Sequence, residues 1–271
     1  MSDLPKYDTL LLQREGRTLR VWLNRPETKN ALNSAMVRDL TAVTDWLGGD
    51  SDIRAVVLRG ANGTFCAGGD INGFREMFST PAPKPGEKDA IAVHNRGFGS
   101  IMSRFEALRQ TIVMVIEGAA YGGGLGLMCG GDVVLATEDA KFSISETTLG
   151  VPPAQIAPFV AARIGVARTR WLSLTAHRFD GREAEKLGLV DQAFSGTAAL
   201  DAALARVLGG IARCSPNANA TTKRLILASR SLPREELLDQ SADAFAACLR
   251  SPEGHEGVTA FLEKRKPKWA S

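Results

Sequence analysis

The chain has 271 residues, with 33 Lys and Arg against 30 Asp and Glu and a formal charge of +3. So even a balance gives no electrostatic pull toward nucleic acid or a membrane surface, and 44% apolar with 23% charged residues is ordinary globular composition. A chain of this length buries about 75% of its unfolded surface, enough for one large domain or two modest ones.

The opening MSDLPKYD is polar and lacks the basic and apolar regions of a secretory signal. Residues 8–25 form two short apolar runs around Glu-Gly, which predicts a β-hairpin. Met36, Val37, Leu40, Val43 and Leu47 recur at helical spacing and predict a helix over 33–47. IRAVVLRG (53–60) reads as a buried strand followed by a turn-rich loop, ANGTFCAGGD (61–70). PAPKPGEKD (81–89) reads as a mobile surface loop, and a helix is expected near 90–109. TIVMVIEG (111–118), DVVLAT (132–137) and KFSIS (141–145) predict three more strands. The succession of strand, loop and helix suits an α/β core with parallel pairing. From about 195 onward four segments carry only helical patterns, so the chain divides into a core at 1–195 and a helical region at 196–271.

Several chemistries lack support. Cys66, Cys129, Cys214 and Cys248 form no C-x-x-C pair, which argues against a zinc ribbon or dithiol motif and for a reduced, cytoplasmic setting. His94, His177 and His255 have no metal-ligand spacing, and no metal is expected. No G-x-S-x-G occurs. The most apolar window, near 112–135, contains Glu117 and Asp132 and is broken by glycines, so it reads as protein core and not as a membrane span.

AAYGGGLGLMCGGD (119–132) places six glycines in one apolar segment, although glycine weakens a helix by about 1 kcal/mol relative to alanine. A dinucleotide loop fails, because Gly122 and Gly124 are followed by Leu127 where the third glycine belongs. Close packing of a helix on a strand is one remaining reading. The other is an oxyanion hole: a strand turning into a helix near Gly122–Gly124 exposes unpaired N–H groups and a partial positive charge. Such a hole needs a second donor, and FCAGGD (65–70) is the candidate.

NRPETKNALN (24–33), GTFCAGGDI (63–71), EGAAYGGGLGL (117–127) and FSISETTLGVPPA (142–154) occur in an order and spacing that resembles the crotonase, or enoyl-CoA hydratase/isomerase, superfamily. The likeness continues through FDGREAEKLGLVDQ (179–192) and EGVTAFLEKRKPKW (256–269) and covers nearly the whole chain. It implies an α/β crotonase (ClpP-like) spiral of β-β-α units with a C-terminal helical trimerisation region, assembled as a homotrimer or homohexamer. It implies an acyl-CoA thioester as substrate with no other cofactor; the +3 charge and the lack of an aromatic-basic stripe argue against a nucleic-acid partner, and the interrupted apolar window against a membrane one. The backbone amides of Gly69 and Gly123 are the implied oxyanion donors. Lys29, Ala31, Leu32, Ala67, Asp70, Ile71 and Gly122 are implied to line the thioester and CoA, and Phe261 and Lys264 to approach CoA on a neighbouring subunit.

A typical hydratase of this family has two glutamates beside the substrate double bond. Here the resemblance places one at Glu146 and puts Gly126 where the other belongs. Glu146 is the candidate acid/base, with burial expected to raise its pKa. Glu117 and Asp70 are near in sequence but have structural readings. A single glutamate suits isomerisation of a 3-enoyl to a 2-enoyl ester. FSISETTLGVPPAQIAPFVAARIG and CSPNANATTK resemble instead the branch hydrating methylglutaconyl-CoA and isohexenylglutaconyl-CoA, whose substrates carry an extra carboxylate. A non-catalytic or RNA-binding relative is the third reading; retention of Glu146 and of the glycines argues against it.

Overall fold

The computed structural model describes residues 4–270; the first three residues of the polar opening lie outside them. The hairpin is β1 (Leu10–Glu15) and β2 (Thr18–Leu23), paired antiparallel with Glu15 opposite Thr18. Helix α1 (Ser34–Gly49) follows, its first turn capped by the Asn33 side chain accepting from Met36 N–H. Met36, Leu40, Val43 and Leu47 are buried as their spacing predicts, whereas Val37 is only partly buried at the edge of that stripe. Next come β3 (Ala55–Gly60), the short α2 (Ile71–Met77), α3 (Ala90–Ala107) and β4 (Thr111–Ile116). The loop at 81–89 is exposed over nearly all its length.

The glycine-rich segment holds two elements, β5 (Ala119–Tyr121) and α4 (Gly123–Cys129). After it run β6 (Val133–Thr137) and β7 (Lys141–Ser143). Residues 146–195, for which the sequence pattern predicts no elements, contain α5 (Ala157–Ile164), α6 (Val166–Thr175), β8 (Phe179–Asp180), α7 (Gly181–Leu187) and β9 (Gln192–Phe194). The four expected C-terminal helices are α8 (Thr197–Arg213), α9 (Pro216–Ala228), α10 (Arg234–Arg250) and α11 (Pro252–Leu262).

The main sheet has the order β1-β2-β3-β4-β6-β9 and is parallel from β2 onward. Its central strands are apolar on both faces, as a sheet covered on both sides requires. Val56, Leu58, Ile112, Met114, Ile116 and Val134 join the large core. The alternate residues Val57, Val113, Val115 and Leu135 point the other way, against Leu200, Ala203 and Leu204 of α8. A second sheet, β5-β7-β8, lies beside it. The chain gives one strand to each sheet in turn, β4 then β5, and β6 then β7. This alternation brings the two glycine loops together. Cys66 bridges Ala120 in parallel, with Cys66 N–H donating to Ala119 O (2.9 Å) and Tyr121 N–H to Cys66 O (3.0 Å).

Between β4 and β5, Glu117 ties the sheet to α8. Its carboxylate accepts from Arg59 Nε (2.6 Å) and Thr197 Oγ1 (2.7 Å), and Arg59 also pairs with Asp201. Burial pushes the Glu117 carboxyl up, but these two hydrogen bonds and the Arg59 charge outweigh it and hold it below its ordinary value. A depressed carboxyl contributes stability above its unfolded pKa of 4.5, and that contribution disappears as pH falls through the lower folded value. Between pH 6 and pH 4 the wild-type Tm should therefore fall further than that of Glu117→Gln. Equal slopes in thermal melts at the two pH values would show that the pair carries no linkage.

Candidate active site

Two loops and one carboxylate meet at the N-terminal end of α4. The strand turn at 29–32 docks on the 65–70 loop: Ala67 N–H donates to Lys29 O (3.0 Å), Leu32 N–H to Gly68 O (2.8 Å), and Asp70 N–H to Leu32 O (3.0 Å). Asn30, fully buried, locks the turn. Its amide donates to Ala61 O and Thr64 O and its Oδ1 accepts from Arg25 N–H. Arg25 spans to the other side, donating to Ala31 O (2.6 Å) and pairing with Asp70 Oδ2 (3.1 Å). Asp70 also caps α2 by accepting from Asn72 N–H. Glu117 and Asp70 are thus both committed to structural ion pairs.

Of the residues the resemblance implies, Lys29, Ala31, Leu32, Ala67, Gly69, Asp70, Ile71, Gly122 and Gly123 come together around these loops, with Glu146 beside them. A Cβ on Gly123 would lie 3.7 Å from the Gly69 amide nitrogen and 3.2 Å from Leu32 Cδ1. Among the described residues neither the Gly69 nor the Gly123 N–H donates to the fold, whereas the neighbouring Gly122 N–H is taken by Ser143 O (2.9 Å). Phe261 and Lys264 lie elsewhere, at the end of α11 and just after it. Phe261 is 84% exposed, and no hydrogen bond or ion pair joins either residue to the glycine loops.

Gly122 answers part of the glycine question. Its φ of 46° with ψ of −117° is backbone that residues with a side chain avoid, and a Cβ there would be 2.7 Å from Glu146 Oε1. The glycine makes the turn and leaves room for the carboxylate. Glu146 begins the 3-10 turn Glu146–Leu149, and its Oε2 is buried with no hydrogen-bond partner among the described residues. Burial pushes its carboxyl above the ordinary value, partly offset by its own backbone N–H and that of Ser145.

Gly122 and Gly126 are one helical turn apart, with Gly126 N–H donating to Gly122 O, so they share a face of α4. Where Glu146 covers Gly122, Ile156 covers Gly126. A Cβ at Gly126 would stand 2.1 Å from Ile156 Cγ2 and 3.4 Å from Met102 Sδ. The space beside Gly126 is therefore filled by aliphatic and thioether atoms. The apolar wall continues over the two amides: Phe74 Cζ lies 2.8 Å from a Cβ position at Gly69, and Phe98 Cζ 3.6 Å from that at Gly123. Sequence reasoning missed Asn30, Phe74, Phe98, Met102 and Ile156. The four-residue spacing of Phe98 and Met102 was the one available signal, since it places both on one helix face.

Gly122→Ala is expected to displace the Glu146 carboxylate and strain the turn, lowering kcat by about 100-fold, the order of loss for a misplacement near 1 Å. Steady-state kinetics beside a circular dichroism melt would separate that from unfolding; a kcat within a few-fold of wild type would show that the carboxylate does not need this position.

Residues 14–271 match the family model described as Enoyl-CoA hydratase/isomerase. The chain belongs to the enoyl-CoA hydratase/isomerase family. Among curated relatives it is 31% identical to the peroxisomal Delta(3,5)-Delta(2,4)-dienoyl-CoA isomerase of Arabidopsis thaliana, over 98% of this chain and 99% of the relative. It is also 31% identical to the 2,3-dehydroadipyl-CoA hydratase of Escherichia coli K12, over 95% and 97%. Among solved structures, Pseudomonas aeruginosa AtuE superposes with a TM-score of 0.93 at 48% identity, covering 97% of this chain and all of that one. An enoyl-CoA hydratase/isomerase from Marinobacter aquaeolei gives 0.94 at 43% identity over the same shares. The α/β crotonase fold is thus that of the family, and its members are enzymes. No helix among the described residues is long and apolar enough to cross a membrane.

Proposed function

We propose that this family member hydrates a branched, carboxylated α,β-unsaturated acyl-CoA of the methylglutaconyl-CoA and isohexenylglutaconyl-CoA class. The observation that carries the reading is the meeting of two unengaged amides with a buried, unpartnered carboxylate oxygen. Gly69 and Gly123 N–H donate to the thioester oxygen as negative charge forms on it, each donor being worth about 2.7–4 kcal/mol of barrier. Glu146 takes a proton from water as the oxygen attacks C3, then returns a proton to C2 of the enolate. A carboxyl whose pKa is raised toward neutral is suited to both steps. The carboxylated substrate is supported by the resemblance of 142–165 and 214–223, and by a 31%-identical relative named for dehydroadipyl-CoA, itself an ester with a distal carboxylate. The apolar filling beside Gly126 supports a one-glutamate site, in which the substrate's own carboxylate helps hold the water.

That same filling favours a second reading, a Δ3,Δ2-enoyl-CoA isomerase in which Glu146 moves one proton; a dienoyl-CoA isomerase is among the relatives. The discriminating experiment follows absorbance of the conjugated thioester over 2-enoyl, 3-enoyl and carboxylated branched esters. Loss of conjugation with the carboxylated ester supports hydration. Gain of conjugation from the 3-enoyl ester alone would replace it with isomerisation. The reading uses no cofactor beyond the thioester itself. It also assembles the chain as a trimer or hexamer, which would cover exposed Phe245, Leu249 and Leu262 and carry Phe261 and Lys264 to CoA on a neighbouring subunit.

A further inference from the structure

We propose that Arg96 and Gln155 form the receptor for the distal carboxylate of the acyl group and so set the preference for carboxylated esters. The identity of the ligand rests on the hydratase reading above; the location does not. Helix α3 lies over the site with Phe98 and Met102 turned toward Gly123 and Gly126. Between them Gly99 is buried and presents bare backbone, and the Gln155 side chain lies flat on it. A Cβ at Gly99 would be 2.1 Å from Gln155 Oε1. Arg96 Nη1 reaches the same point, 3.2 Å from it, so the two polar heads share one small patch of helix surface. Ile156, the next residue after Gln155, is the side chain that fills the space over Gly126. The patch therefore borders the acyl site rather than a remote face.

The chemistry of the patch is that of an anion receptor without its anion's partner in the fold. The Arg96 guanidinium makes one hydrogen bond, to Ser100 Oγ (2.9 Å), and among the described residues no carboxylate pairs with it. The Gln155 amide makes no hydrogen bond among them, although Gln155 is half-buried. The other arginine of α3 and the arginine of α5, the helix that follows Gln155, are engaged. Arg104 pairs with Asp45, and Arg163 pairs with Asp191 while donating to Leu189 O and Gly131 O. A guanidinium fork offers two parallel N–H donors that match a carboxylate, a geometry an ammonium does not reproduce. The Gln155 atom lying at Gly99 is its carbonyl oxygen, so the amide adds a third donor when its NH2 group is turned to the patch.

The test compares two saturated, unreactive thioesters of equal acyl carbon count, glutaryl-CoA and pentanoyl-CoA, by calorimetric titration of the full chain. Wild type is expected to bind glutaryl-CoA about tenfold more tightly than pentanoyl-CoA. In Arg96→Met the ratio should fall to about one, in Arg96→Lys it should be intermediate, and Gln155→Ala should lower it in part. A wild-type ratio near one, or a ratio that Arg96→Met leaves unaltered, overturns the proposal. Arg96 is on the surface, and a melt of each variant checks that the fold persists. The two readings fail separately. A wild type that hydrates the carboxylated ester with no Arg96-dependent ratio keeps the reaction and loses the receptor. An Arg96-dependent ratio in a protein that hydrates nothing keeps the receptor and loses the reaction.

Discussion

Glu146→Gln is expected to lower kcat for hydration by roughly 10²–10⁴-fold while thioester binding stays within a few-fold of wild type. The amide keeps the shape of the side chain and removes only its capacity to take and return a proton. In the proposed reading CoA and the thioester oxygen are held by backbone groups of the 29–32 and 65–70 turns and of α4, none of which the substitution touches. Comparable loss of binding would mean that the residue holds substrate instead of moving a proton, and unchanged kcat would remove it from the reaction. The same variant has a stability signature. Because burial raises the folded pKa above 4.5, ionisation is penalised in the fold, and the residue's contribution to stability is lost as pH rises through that raised value. A buried oxygen without a partner adds to the cost. Glu146→Gln should therefore melt higher than wild type at pH 7 and no higher at pH 4. Identical melting differences at both pH values would contradict the desolvated carboxyl.

The second large effect is at Gly126. Restoring a second carboxylate by Gly126→Glu is expected to destabilise the protein by about 3 kcal/mol or more, since overpacking is joined by burial of a charge. At about 2–4 °C per kcal/mol for a chain of this size, Tm should fall by at least 6 °C, with no gain of activity on unbranched 2-enoyl esters. The cause is local: Ile156, 3% exposed, already occupies the direction in which the side chain would leave the backbone. Adding Ile156→Ala to Gly126→Glu should recover part of the lost Tm although Ile156→Ala alone costs about 2–5 kcal/mol, a non-additivity expected only of residues in contact. Differential scanning calorimetry of the two single variants and the double variant measures this. Gly126→Glu melting at the wild-type temperature would show that Ile156 does not hold that space.

Much of this was written in the linear chain because it depends on local pattern. Alternating and helical hydrophobic periods located the hairpin, α1, α3, four of the strands and all four C-terminal helices. Ordered motifs located Gly69, Gly123 and Glu146. The stretch at 146–195 was not legible, for it consists of strands two or three residues long and of helices such as α6, which lacks a one-sided apolar stripe. Those elements exist because the core offers them neighbours, and propensity alone does not specify them. Nor could α2 be read, since it is seven residues long with none buried.

The sequence by itself offered glycines with the backbone freedom and glutamates with the acidity for such chemistry, and its resemblance to the family singled out Gly69, Gly123 and Glu146 among them. Only the tertiary structure decided what each of them faces. Gly122 and Gly126 look alike in sequence, yet one makes room for a carboxylate and the other for Ile156. Arg96 and Gln155 are 59 positions apart in the numbering and meet over Gly99. The physical reason is that close packing is a relation between segments brought together by the alternation of two sheets, and no local spacing encodes which side chain will fill the space beside an absent Cβ.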